Sequence, residues 1–419
     1  MPGVYPKLTA FLALLVPALA LLSPVGGPVI LYVLALLGVV ALLHNALCGL
    51  EPFRWRELGL VGLVLVGPVF CMLVTNVVRG VWSNSELEKA LRFALALPIF
   101  WVLLRVPRRT LQNIQWSLLA GATGGTLLIV TLLVWLGEWR GVLSDYGGKY
   151  NAVTYANILL FLGFASLLTL PWRMTSWPRL EMALKIAVAF ATVYGTVVSQ
   201  TRSSWMLVPV FGLVLLLSVR KWTMRGRVYC AIMTVAVLVA GSFGVWSSNH
   251  RMAAVLSDFQ QYSSGGDRNT SVGIRLQLWE ASWSIFKESP LVGVGPSQFR
   301  AELLKQRELG EVTQAVVDGY GEPHNDFFGA MAGYGLLGLL SMLALYLAPA
   351  WVFLRRMASD DRVIRTGAQI GLLFCLGYCV FSLTEMMFRN MRSVPIYSVT
   401  LVLLLALTAP RAPQAPRAA

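Results

Sequence analysis

The 419-residue sequence is short of charge, short of acid and nearly without histidine. Charged residues make up 13% of it and hydrophobic residues 57%. A soluble domain carries about a quarter charged residues, so a water-soluble globule is excluded and lipid is the solvent for most of the chain. Only 20 acidic residues face 34 basic ones, for a net charge of +14. The lysines and arginines nevertheless fall in short clusters between apolar spans, without a continuous basic face or an aromatic stacking platform. That pattern reads as membrane topology and not as nucleic-acid binding. Five cysteines all lie within or beside apolar spans, so neither a disulfide framework nor a zinc site is expected. The outer loops contain no Asp-x-Asp or similar paired-carboxylate motif, and Asp360-Asp361 falls on the predicted cytoplasmic side. A metal-held diphosphate is therefore not expected, which leaves cationic side chains to stabilise any such group, with no metal and no other cofactor.

What is present is a series of apolar runs, each near the roughly 20 residues that a helix needs to cross a hydrocarbon core about 30 Å thick. Twelve spans are predicted: 8–23, 27–44, 58–78, 87–104, 113–137, 152–171, 181–199, 204–219, 228–247, 326–354, 366–387 and 393–409. Backbone groups in lipid must pair internally, so the predicted class is an all-α integral membrane protein. Short loops on one side are rich in basic residues (Arg54, Arg56; Arg105, Arg108, Arg109; Arg173, Arg179, Lys185; Arg220 to Arg227; Arg355 to Arg365). By the positive-inside rule both termini are cytoplasmic, and one large loop between spans nine and ten lies outside. The expected organisation is residues 1–247 as spans one to nine, 248–325 as the outer loop, 326–409 as spans ten to twelve, and 410–419 as a short cytoplasmic tail. Ala18-Leu19-Ala20 also fits a small-x-small cleavage pattern after Lys7, but the weak basic start and the apolar span that follows favour an uncleaved first helix. No repeat relates the two halves, which counts against a two-fold-repeat transporter.

Inside the large loop, Ile274, Leu278, Ala281 and Ile285 recur at helical spacing, and Trp279, Trp283 and Phe286 widen that face. The spacing predicts an amphipathic helix at the membrane surface. Ser289-Pro290 ends it, Gly293-Val294-Gly295-Pro296 turns the chain, and Phe299 to Leu309 forms a second short helix.

Three histidines exist, and His324 in Gly321-Glu322-Pro323-His324-Asn325-Asp326 is the one placed for chemistry. It stands at the outer start of span ten, where a helix N-terminus disfavours imidazolium and keeps the ring able to accept a proton. The plainer alternative is a capping or anchoring role. Arg202 sits in a tight outer turn with no acid to neutralise it, Arg275 lies on the predicted surface helix, and Lys89 and Arg92 start span four on the same side. Such cations suit phosphate oxygens, and equally suit anionic headgroups.

Thr201-Arg202-Ser203 at an outer turn, Arg275 to Trp279 followed by Gly293-Val294-Gly295-Pro296-Ser297-Gln298-Phe299, and Pro323-His324-Asn325 with Gly333 and Gly335 occur in one order. Together they resemble the O-antigen ligase and polymerase superfamily, from about Tyr194 to Leu340. The resemblance implies a GT-C-like multi-pass glycosyltransferase in the bacterial inner membrane, working at the periplasmic face on an undecaprenyl-diphosphate-linked glycan. Within the superfamily, the single sizeable outer loop and the short end of the chain favour a ligase that transfers O-antigen to lipid A-core. The polymerase and protein O-oligosaccharyltransferase readings remain beside it. The roles expected are His324 as general base, Arg202, Arg275, Lys89 and Arg92 as a diphosphate clamp, and Asn325, Trp279 and Trp283 as supporting or gating residues, with membrane lipids around them. The rival of another class is a transporter or flippase of lipid-linked saccharide. Against it, nearly all ionisable residues lie at span ends, with Glu385 near the outer end of span eleven a possible exception.

Overall fold

The computed structural model describes residues 4–23, 25–49, 55–135, 137, 151–201, 203–218 and 257–411. In chain order its main helices are α1 (Val4–Leu19), α2 (Gly26–Leu47), α3 (Trp55–Arg79), α4 (Asn84–Ala94), α5 (Ala96–Leu103), α6 (Arg108–Leu111), α7 (Ile114–Val134), α8 (Ala152–Leu168), α9 (Pro178–Val198), α10 (Leu207–Ser218), α11 (Ser271–Glu288), α12 (Phe299–Glu308), α13 (Gln314–Gly319), α14 (Asp326–Arg356), α15 (Arg362–Phe381) and α16 (Ser393–Thr408). The described residues contain no strand. Six helices are long and apolar enough to cross a membrane, and four shorter apolar helices accompany them. Predicted span nine, the start of the outer loop and the end of the tail lie outside the described residues.

Helices α8, α15 and α16 form the centre, with α16 buried along its whole length. On the outer helices Leu36, Leu43, Leu63, Phe70, Val77, Leu216, Leu347 and Trp351 stay exposed. Large apolar side chains in such number suit a lipid surround.

Three features differ from the sequence expectation. Span four is two helices, α4 and α5, broken at Leu95. Pro98 in the first turn of α5 has no N–H for the Ala94 carbonyl, which is the local reason for the break. Span eleven stops at Phe381, and residues 382–392 form turns that fold back on α14. Lys185, expected in a cytoplasmic loop, is buried in α9, where its ammonium donates to Glu181, Gln115 and the carbonyls of Thr169 and Trp172 at 2.8 to 3.0 Å. A charge so fully satisfied locks α7, α8 and α9 together and reports nothing about topology.

The segment from α11 to α13 forms a small cap with its own core. Leu278, Ala281 and Ile285 pack with Phe299, Leu303, Val312, Val316, Val317 and with Ala332 of α14. The apolar face predicted to lie on the membrane surface is therefore consumed inside the protein. Sequence spacing gives amphipathicity but not the surface that covers it.

A break in α14 seats the cap. Gly335 interrupts that helix at φ 64° and ψ −149°, a conformation nearly restricted to glycine. The groups the break frees are taken by the chain after α11. Leu336 and Leu337 N–H donate to the carbonyls of Pro290 and Leu291, and Val294 and Gly295 N–H donate to those of Ala332 and Gly333, at 2.7 to 3.3 Å. A Cβ at Gly335 would stand 2.4 Å from the Leu291 carbonyl carbon, and one at Gly293 2.4 Å from that of Gly333. From α3, Thr75 Oγ1 and Arg79 Nε donate to the carbonyls of Val292 and Gly293 at 2.8 and 2.7 Å, and Arg79 also bonds Ser289.

Candidate functional site

The site is built where α14 starts. Asn325 is its N-cap: Oδ1 accepts from Phe327 and Phe328 N–H at 2.9 and 3.2 Å, and Nδ2 donates to the Leu383 carbonyl at 3.0 Å. Next to it, buried Asp326 accepts from Ser382 Oγ and Phe388 N–H at 2.8 and 3.0 Å, while its own N–H donates to the Ser382 carbonyl. These bonds draw the turn after α15 onto the start of α14 and bring Glu385 beside His324.

His324 Nδ1 lies 3.3 Å from Glu385 Oε1. The carboxylate is itself fixed, accepting from Asn151 Nδ2 at 2.7 Å and from Met386 N–H at 3.2 Å. Tyr320 meets the imidazole edge-on at 5.5 Å between centroids, and the ring keeps about a quarter of its side-chain surface open (26%). His324 has φ +50°, a left-handed conformation rare and costly for a side-chain-bearing residue.

The electrostatics correct the expectation of a ring kept neutral by the helix dipole. The hydrogen bond to Glu385 raises the His324 pKa above its ordinary value; burial opposes this, the charges of Glu385 and Glu322 add to it, and Arg275 works against it. A full negative charge in contact outweighs the partial charge of a helix end, whose free N–H groups Asn325 has already capped.

Arg275 is close enough to act on the imidazole, and it makes no hydrogen bond or ion pair with another side chain among the described residues. It comes from α11, four residues and one helical turn before Trp279. Trp279 Nε1 donates to the Pro323 carbonyl at 3.1 Å, and its ring stacks on Phe328. Trp283 instead faces outward, 47% exposed, against Phe286, so the expected Trp pair is divided between two environments. Arg202 lies outside the described residues.

Lys89 and Arg92 differ from a free cationic pair. Lys89 bonds Glu86 at 2.6 Å, and buried Arg92 is held by Glu88, with Nε at 2.9 Å from the carboxylate. Lys89 does line a cavity of about 100 Å³ between α3, α4, α14 and the 386–389 turn, apolar at Pro68, Phe93, Met342 and Leu345. At its charged rim stands Arg389, 2.8 Å from Glu86 and 3.7 Å from Glu322.

Glu322, His324 and Glu385 offer one ligand atom each within 4.8 Å of one another, a spacing that a cation could draw together. Arg389 stands 3.7 Å from Glu322 and Arg275 acts on the ring, so two guanidinium groups already attend these acids. Glu385 was missed as a partner because it is far away in sequence. The available signal was an acid at the end of an apolar span, which is a functional candidate by default.

Residues 186–343 match the family described as O-antigen ligase. That segment runs from within α9 to within α14 and includes Arg202, Arg275, Trp279, His324 and Asn325, but not Lys89, Glu385 or Arg389. A Haemophilus influenzae protein named only as uncharacterized is 23% identical over 220 residues, 51% of this chain and 53% of that protein. A protein of Escherichia coli K12 named O-antigen ligase is 24% identical over 265 residues, 61% of this chain and 58% of that protein. The chain thus spans between half and three fifths of the length of these curated relatives.

Proposed function

We propose, from the match of residues 186–343 to the O-antigen ligase family, that this protein is a membrane glycosyltransferase that moves O-antigen from undecaprenyl diphosphate to a sugar hydroxyl of lipid A-core, at the periplasmic face of the bacterial inner membrane. The observation that carries the reading is the His324–Glu385 pair, set beside an arginine with no partner among the described residues.

In this reading the ring donates through Nδ1 to Glu385 and keeps the lone pair on Nε2. Nε2 removes the proton of the acceptor hydroxyl as that oxygen bonds the anomeric carbon of the donor's first sugar. The bond from that carbon to the diphosphate oxygen breaks, and undecaprenyl diphosphate leaves with the electron pair. The anomeric centre inverts in the single displacement. Glu385 holds the imidazolium that results, a division of labour familiar from base and orienting-acid pairs. Arg275, with Arg202 and Lys89, stabilises charge gathering on the leaving diphosphate. Arg92 stays with Glu88.

The test is reconstitution of the full chain in detergent or liposomes with donor lipid and lipid A-core, read by gel shift of the acceptor. The wild type should attach glycan without ATP, and His324→Ala should lose about 10²- to 10⁴-fold in rate. Extension of the donor glycan without acceptor would instead mark a polymerase, and movement of lipid between leaflets without bond formation would mark a transporter.

A further inference from the structure

His324 holds a backbone conformation that few side-chain-bearing residues adopt, so something around it must hold it there. On its C-terminal side Asn325 fixes the chain by capping α14. On its N-terminal side the peptide carbonyl that precedes it, that of Pro323, is bound by the indole of Trp279 at 3.1 Å, and the same indole stacks on Phe328 with ring centroids 5.6 Å apart and planes 16° apart. Trp279 thereby touches both sides of the left-handed residue, one by a hydrogen bond and one by its face.

The indole also has a fixed base. Its helix, α11, is held in the cap core by Leu278, Ala281 and Ile285, which are at most 2% exposed. Arg275 sits one turn earlier on that helix, and residues four apart share a face. One rigid segment therefore presents a cation to the imidazole and grips the peptide that carries the imidazole.

We propose that Trp279 is a positioning residue that sets the register between His324 and Arg275 by holding the Pro323–His324 peptide against α11. The proposal rests on the reading of His324 as the base. Trp279 itself touches neither substrate, and without its N–H the base loop is free to shift while α11, buried in its own core, stays in place. Chemistry then suffers and donor binding does not.

The experiment is steady-state transfer by the purified full chain carrying Trp279→Phe, which keeps an aromatic ring on Phe328 and removes the N–H donor, with His324→Ala in parallel. Trp279→Phe should lower kcat by between about tenfold and a hundredfold and leave the KM for the donor lipid within about twofold of wild type, the scale of a sub-ångström misplacement of a reacting group. Wild-type kcat in Trp279→Phe while His324→Ala is inactive overturns the positioning role and leaves the base assignment standing. A raised donor KM with kcat unchanged overturns it equally. Wild-type turnover in His324→Ala overturns the underlying reading instead. Should Trp279→Phe not fold, 3-benzothienylalanine at position 279 exchanges the N–H for sulfur in a ring of the same shape, and the same two constants decide.

Discussion

His324 and Glu385 are 61 positions apart in the chain, and their side chains meet at 3.3 Å. The contact is made by the turn after α15 folding onto the N-terminus of α14, so the acid and the imidazole are supplied by different helices. Three groups and burial act on the ring's charge: Glu385 and Glu322 favour the imidazolium, while burial and Arg275 disfavour it. Each can be tested separately.

The wild-type pH profile follows from the balance. The His324 pKa is raised, and the base works only when unprotonated. The transfer rate should therefore fall as pH drops through a midpoint above the unperturbed histidine value of about 6.5, and be complete only on the alkaline side. A single-turnover pH series checks this; a midpoint at or below that value contradicts it.

Arg275→Ala removes the group that opposes protonation and one of the donor's countercharges. The acidic limb should move to higher pH, and donor KM and kcat should both worsen, because a diphosphate needs its cations in the ground state and in the transition state. Unchanged donor affinity with an unmoved limb would remove Arg275 from the site.

Asn325→Ala leaves two N–H groups of α14 and the Leu383 carbonyl without their side-chain partner. Loss of an N-cap costs about 0.5–2 kcal/mol, and the bond to Leu383 adds about 1 kcal/mol. Thermal unfolding in detergent should show the loss, and Glu385 should lose its hold on His324 with it.

Two glycines separate backbone strain from crowding. Gly335 and Gly310 both have positive φ, at 64° and 76°. A Cβ at Gly310 meets open space, and one at Gly335 meets the Leu291 carbonyl carbon at 2.4 Å. Gly310→Ala should cost about 1–2 kcal/mol from conformation alone. Gly335→Ala should cost more and release the cap, seen as faster proteolysis between α11 and α14. Equal costs would mean that the cap does not depend on the break.

Much of this was legible in the sequence, for identifiable reasons. Apolar run length fixes spans, and α7, α8, α9 and α16 fall within a few residues of their expected bounds. Periodicity located α11, Ser289-Pro290 its end, and the glycines after it the turn. Pro98 could have announced the break between α4 and α5, since a proline early in an apolar run removes a helical donor. Other features carry no local signal. The break at Gly335 is stable because residues 290–295 satisfy its freed groups, and Lys185 is internal because acceptors on α7 and after α8 converge on it. Of the residues singled out in the sequence, His324 and Asn325 at the start of span ten and Arg275 and Trp279 on the predicted loop helix are brought together by the fold. Glu385, Asn151 and Arg389 were not found as their partners, because tertiary contact alone brings them there.

The pH dependence of single-turnover transfer by Glu385→Gln tests the account most directly. Removing the carboxylate's charge while keeping its shape should lower the plateau rate by about 10- to 100-fold, as the imidazolium loses its counterion, and move the acidic limb to lower pH. The shift would be opposite in sign to that of Arg275→Ala. A variant with the wild-type plateau and the wild-type limb would contradict the pairing of His324 with Glu385 as the working base.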